Sequence, residues 1–365
     1  MKYTENELAL IALSGVSGVG AKRMSALLAV VDEPREVFSL HRATVSEIIG
    51  EKQVEGFWRA ASKSYQEDMA ANLSRLSMRA VCRFTDDYPP LLEEIFDPPY
   101  VLYIKGTIRL TRERLLAVVG SRNASRYGLE CAHALSRDLA AQGVTIISGM
   151  ARGIDSAAHV GALKAGGSTM AVFGSGLDVC YPPENLELYE EIAQKGLLIS
   201  EYLPGTSPLP AFFRQRNRII AGLSQALLLI EGRQNSGAMI TVDHALDSSR
   251  EVFAVPGQIN SPLSFQPNRL IRQGAGMVLE ARDIMEPMQW SSPSAVSPRS
   301  ASRKTPLPEL SDEEKLIVEP LLTEELSFDE LCRKTGFKAE RLNSLLTMLS
   351  LRGIIKQHPG RVFSI

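Results

Sequence analysis

The chain has 365 residues, enough for two or three domains at about 150 residues each, and it can bury a large core. Lys and Arg number 40 against 42 Asp and Glu, a net charge of -2, which excludes a uniformly basic coat and confines any nucleic-acid site to a local patch. Hydrophobic content of 44% and charged content of 22% exclude wholesale disorder and fibrous or low-complexity designs.

Residues 1–80 alternate short amphipathic helical patterns with glycine breaks and lack a β-branched strand run, which predicts a small helical domain. Within it, Gly15-Val16-Ser17-Gly18-Val19-Gly20 joins two apolar stretches in the manner of a helix-hairpin-helix. Two readings stand: amides of the turn hold a backbone phosphate, or they only close a tight turn between packed helices. From Tyr88 to Gly106, Pro89, Pro90, Pro98 and Pro99 deny a continuous helix, and the segment reads as a packed connector.

Beyond it, apolar runs at 115–119, 144–148, 168–173, 196–200, 226–230 and 251–255 alternate with helix-length amphipathic segments. That alternation predicts an α/β domain over 81–286, with a mostly parallel sheet covered on both faces. Residues 287–308 are rich in Pro and Ser and read as a flexible linker. Residues 309–365 predict three helices and a closing hairpin, with Ser311 and Ser327 as N-caps, which is the order of a winged helix. Its second-groove candidate, the helix from Lys338 to Leu351, brings only Lys338, Arg341 and Arg352, a poor set for reading DNA.

The first strand of the sheet runs into Gly120-Ser121-Arg122, and the next helix starts near Tyr127, so amides, a hydroxyl and a guanidinium meet at a strand's carboxyl end. The second strand runs into Ser148-Gly149-Met150-Ala151-Arg152-Gly153-Ile154-Asp155. Together the two loops read as a polyanion site, and separately as tight turns. Gly174 to Asp178 and Ser236-Gly237-Ala238 join the same sheet edge. Between them lies Phe212-Phe213-Arg214-Gln215-Arg216-Asn217-Arg218, on a helix expected to start near Arg214 and to put Arg214 and Arg218 on one face. Rings followed at once by guanidinium groups suit a single-stranded nucleic acid, bases on the rings and phosphates on the cations; one of the two phenylalanines is expected in the core.

No catalytic machinery is read: the five histidines are scattered, and His159 is expected to pair locally with Asp155. No GxSxG, HExxH or GxxxxGK[ST] motif occurs. Cys82, Cys131, Cys180 and Cys332 lie far apart with no metal-ligand spacing, so they are read as buried free thiols and no metal site is expected. No run approaches the ~20 apolar residues of a membrane span and no signal-peptide pattern opens the chain, so a soluble cytoplasmic protein is expected.

The segments AVVGSRNASRYG, ISGMARGIDSAAHVGAL, GSGLDVCYPPEN, ISEYLPG, FRQRNRIIAGLS, SGAMITVDHAL, REVFAVPG and NRLIRQGA, in this order, closely resemble the DprA/Smf family of DNA-processing proteins. The resemblance spans Tyr88 to Met285. It implies an extended Rossmann-like doubly wound sheet, flanked by a SAM or helix-hairpin-helix-like domain and a winged helix. It also implies a single-stranded DNA-binding protein that needs no cofactor, protects incoming DNA, loads the RecA recombinase in natural transformation, and forms a homodimer through the Rossmann-like domain. The implied DNA-binding residues are Gly120, Ser121 and Arg122; Gly149, Arg152 and Gly153; Phe213, Arg214, Arg216, Asn217 and Arg218; and Ser236 and Gly237. Two positions depart from the family pattern: Pro210 stands where relatives often carry a basic residue, and Arg214 where they often carry proline.

Two other readings compete. A nucleotide-handling Rossmann enzyme would need a catalytic carboxylate, for which Glu201 and Glu231 at strand ends are the candidates. A regulator acting on duplex DNA through the winged helix would need basic residues there, whereas they cluster in the central domain.

Overall fold

The computed structural model describes residues 3–290, 311–321, 326–352, 354–358 and 361–364. Most of the predicted linker, from residue 291 onward, lies outside the described residues. The chain divides into two compact units, Met1–Ser291 and Ser292–Ile365.

The first unit opens with α1 (Glu5–Ser14), α2 (Ala21–Leu28), α3 (Arg42–Ile49), α4 (Glu51–Ala60) and α5 (Lys63–Arg75). Thr4 starts α1 with a reciprocal capping box to Glu7. These helices do not close a core of their own. Leu13, Phe57 and Leu73 share one apolar cluster with Tyr103, Phe173 and Leu198 of the sheet, so the helices are seated on the sheet's flank.

A nine-stranded sheet follows: β1 (Arg79–Cys82), β2 (Val101–Gly106), β3 (Leu115–Val119), β4 (Thr145–Ser148), β5 (Thr169–Phe173), β6 (Leu197–Ser200), β7 (Ala226–Leu229), β8 (Glu251–Ala254) and β9 (Gly276–Met277). The order is β1-β2-β6-β5-β4-β3-β7-β8-β9, with β1 and β2 antiparallel and the other seven parallel to one another. The six apolar runs predicted as strands each hold one, to within a residue at either end. The proline-rich segment is more than a connector. After the short α6 (Pro90–Glu93) its last six residues form β2, because the prolines cluster before Tyr100 and leave the ladder amides of Val101–Gly106 intact.

One face of the sheet is covered by α7 (Arg126–Ala140) and α8 (Ile154–Lys164); α9 (Leu186–Lys195) lies against the flank that carries the N-terminal helices. The other face is covered by α10 (Pro210–Leu223), α11 (Ala238–Asp247) and α12 (Phe265–Arg272); the short α13 (Arg282–Met285) and Trp290 close the unit on the face of α7 and α8. Strands with both faces covered have no solvent side, and β3, β4, β5, β6 and β7 are buried at every residue. Helix α10 starts four residues earlier than expected, since Pro210 occupies the first helical turn, where no amide donor is needed.

The second unit holds α14 (Asp312–Leu321), β10 (Leu326–Ser327), α15 (Phe328–Thr335), α16 (Ala339–Leu351), β11 (Lys356–His358) and β12 (Val362–Ser364). Ser311 and Ser327 each accept a first-turn amide, and Gly336 ends α15 in the left-handed conformation. The strands form a sheet in the order β10-β12-β11, over a core of Ile317, Leu331, Leu342 and Leu349. This is a winged helix.

Candidate nucleic-acid interface

The loops after β3 and β7 face each other where the strand order reverses, since β3 leads on to β4 on one side while β7 pairs with it on the other. Open α/β sheets bind ligands in such a crevice. Here it is a cleft of about 560 Å3, floored by the carboxyl ends of β3 and β7 and walled by α10 and the start of α11. Nine of the predicted residues line it: Gly120, Ser121, Arg122, Phe213, Arg214, Arg216, Asn217, Ser236 and Gly237.

The cations of the cleft differ in kind. Arg122 and Arg214 are exposed, and so is Arg233, which sequence reasoning passed over. Among the described residues none of the three is held by a carboxylate, in contrast to Arg152 and Arg218. Arg216 is buried: its Nη1 donates to the carbonyls of Gly149, at 2.7 Å, and of Val172. Burial draws its pKa down to about 10, and the Asp155 carboxylate opposes that shift. It is a strut between the β4 and β5 ends, and only its edge reaches the cleft.

Neither phenylalanine belongs to the core. Phe212 stacks on Tyr202 with ring centroids 4.3 Å apart, and Phe213 leans on Tyr181 at 5.3 Å with the Arg122 guanidinium 5.8 Å above its own ring. Both are half-buried because α10 begins at Pro210, which turns its first-turn side chains toward the cleft rim rather than inward. Tyr181 was likewise not anticipated; a ring three residues past a glycine loop carries no local signal that it will meet Phe213.

Four predicted residues stand elsewhere. Gly149 is buried behind Arg216, and Arg152 and Gly153 line a separate groove between α7 and α8, where Arg152 is ion-paired with Glu184. Arg218 turns away from Arg214 and into a half-buried pair with Glu201, both carboxylate oxygens accepting from Nη2 at 2.7 and 2.8 Å. Its Nε lies 3.2 Å from Asp97.

The β4 loop is also not an open cradle. The Asp155 carboxylate accepts the amides of Gly149 and Ala151 at 3.1 and 3.3 Å, using the donors a phosphate would need. Gly153, at φ +77°, is required by packing as well as by conformation, since a Cβ there would stand 2.4 Å from the Ser121 carbonyl oxygen. The N-terminus of α7 is closed in the same way: Glu231, from the end of β7, accepts the amide and hydroxyl of Ser125. In dinucleotide-binding sheets that terminus holds the pyrophosphate. Glu201 and Glu231 are thus both committed to partners inside the fold. His159 does not pair with Asp155; its Nδ1 lies 2.7 Å from Thr169 Oγ1. All four cysteines are free, but only Cys82 is buried and the others are half-buried. Among the described residues no group of His, Cys, Asp and Glu could hold a metal ion, and no helix is long and apolar enough to cross a membrane.

Residues 79–289 match the family model described as DNA recombination-mediator protein A, and 301–361 match the DprA winged helix domain. The chain is 42% identical over 200 residues to the DNA processing protein DprA of Bacillus subtilis, covering 54% of this chain and 67% of that one. It is 37% identical over 282 residues to protein Smf of Escherichia coli, covering 75% and 74%. The X-ray structure of DNA processing protein A from Streptococcus pneumoniae superposes with a TM-score of 0.66 at 35% identity, over 78% of this chain and 98% of that one. The structure describing a single-stranded DNA binding mode of DNA processing protein A from Helicobacter pylori does so with a TM-score of 0.53 at 28% identity, over 58% and 95%. By sequence, by domain content and by fold, this chain belongs to the DprA/Smf family of DNA-processing proteins.

Proposed function

We propose that this protein binds single-stranded DNA in the cleft between the β3 and β7 loops, protects it, and hands it to the RecA recombinase. The observation that carries the reading is the pairing of Phe213 and Tyr181 with the exposed, carboxylate-free Arg122, Arg214 and Arg233 around one cleft. Rings take bases of any identity and guanidinium groups take the phosphates between them. The relative from Helicobacter pylori, described as binding single-stranded DNA, supports the same ligand. Arg214, one turn into α10, supplies the charge that Pro210 cannot. RecA loading and a homodimer through the Rossmann-like domain rest on family membership. A nucleotide-processing reading is disfavoured, because Glu231 and Asp155 occupy the anion-binding amides and Arg218 occupies Glu201.

The test is fluorescence anisotropy of a labelled oligonucleotide over a salt series. Log affinity should fall with log salt at about -0.7 per phosphate neutralised. Arg122→Ala should weaken binding and flatten that slope, whereas Phe213→Ala should cost about 1–3 kcal/mol of stacking with the slope unchanged. Equal affinity for duplex, insensitive to both substitutions, would move the DNA site elsewhere.

A further inference from the structure

A second cavity, of about 190 Å3, lies on the opposite side of α10 from the cleft, between that helix and the N-terminal helices. Its walls include the rings of Tyr100 and Tyr202, the start of α2 at Gly20, and the Asp97, Glu201 and Arg218 side chains. Tyr202 joins the two sites: it stacks on Phe212, the neighbour of the cleft's Phe213, and its hydroxyl lies 3.0 Å from Gln215 Oε1. A strand leaving the cleft along the exposed Arg214 and Gln215 therefore meets this cavity next.

The chemistry of the cavity is that of a base rather than of a phosphate. It offers two flat walls and two carboxylates to one guanidinium. Arg218 holds both oxygens of Glu201 through Nη2, touches Asp97 through Nε at 3.2 Å, and keeps Nη1 buried without a partner. The Asp97 side chain remains 45% exposed, with acceptor capacity facing the cavity mouth. A carboxylate accepts from donors only, and guanine is the base whose Watson–Crick edge presents two donors side by side, an imino N–H and an amino group; the other bases present one.

We propose that this cavity is a single-base pocket of the DNA track that favours guanine, with Asp97 accepting from its imino and amino groups. The inference rests on the single-strand reading of the cleft. In it the N-terminal helices form part of the binding surface, closing one side of the pocket at Gly20 and Met24.

The experiment compares the full-length protein on an oligothymidine, on the same strand with one guanine at successive positions, and with inosine at the best of them. At one register guanine should tighten binding by about tenfold, the scale of a bidentate base contact. Inosine, which lacks the amino group, should lose most of that gain, and Asp97→Asn should abolish the guanine preference. Equal binding of guanine, inosine and thymine at every register would overturn the pocket, as would a guanine preference that survives in Asp97→Asn. The inosine arm uses the unaltered protein, so it decides even if Asp97→Asn folds poorly. Failure of the cleft itself looks different: no oligonucleotide binds, or Arg122→Ala leaves oligothymidine affinity untouched.

Discussion

His159 Nδ1 lies 2.7 Å from Thr169 Oγ1, and that hydroxyl already donates to the Ile146 carbonyl at 2.8 Å, so the imidazole is the donor and carries its proton on Nδ1. Nε2 is left buried without a partner. Burial, with the nearby Arg216 charge, draws the pKa from 6.5 to about 3. The folded value lies below the unfolded one, so between them the unfolded chain binds the extra proton. The stability tied to the neutral ring is present above pH 6.5 and is lost as pH falls toward 3. At pH 5 the loss is about 2 kcal/mol. Asp155, raised by burial, acts in the opposite sense. Thermal melts of wild type and His159→Asn between pH 4 and 7 should isolate the histidine contribution, the variant keeping the Nδ1-like donor and showing the shallower acid loss.

Gly128 faces the Glu231 carboxylate across the first turn of α7, and a Cβ there would stand 2.4 Å from the carboxyl carbon. Gly128→Ala should destabilise the protein by about 1–3 kcal/mol, because overpacking is met by a buried charge that also caps the helix. Removing the carboxylate makes room, so denaturant titration of Gly128→Ala/Glu231→Ala should give a cost below the sum of the single substitutions.

Two arginines of the cleft should separate folding from binding. Arg216→Met removes the strut between the β4 and β5 ends and the positive charge that offsets the burial of Asp155, at a cost of about 3–5 kcal/mol in chemical denaturation. Arg122→Ala alters an exposed side chain and should leave the denaturation midpoint within about 0.5 kcal/mol while weakening oligonucleotide binding.

In the winged helix, Arg341 and Arg352 are taken up by Glu313 and Glu314 at 2.5 and 2.7 Å. Lys338→Ala/Arg341→Ala in the full chain should therefore leave single-strand affinity within about twofold in the anisotropy assay. A loss matching that of Arg122→Ala would assign this unit a direct part in DNA binding.

Six of the seven parallel strands were legible in the chain because each is a short, almost wholly apolar run, a pattern that survives without knowledge of neighbours; the two-residue β9 was not. The helix caps at Ser311 and Ser327 were equally local. β2 was not, since its short apolar run directly follows four prolines and one of its two pairing partners, β6, is nearly a hundred residues away. The same distance limit governs the site. That GSR and the FFR segment share one cleft follows from a strand order that no window of sequence contains. Which arginines are free is likewise a tertiary matter: Arg214, Arg216 and Arg218 look alike in the chain, yet one is exposed, one is a buried strut and one is neutralised by Glu201 and Asp97. A guanidinium's availability depends on the carboxylates and carbonyls folded against it, and those arrive from β4, β5, β6 and the proline-rich segment.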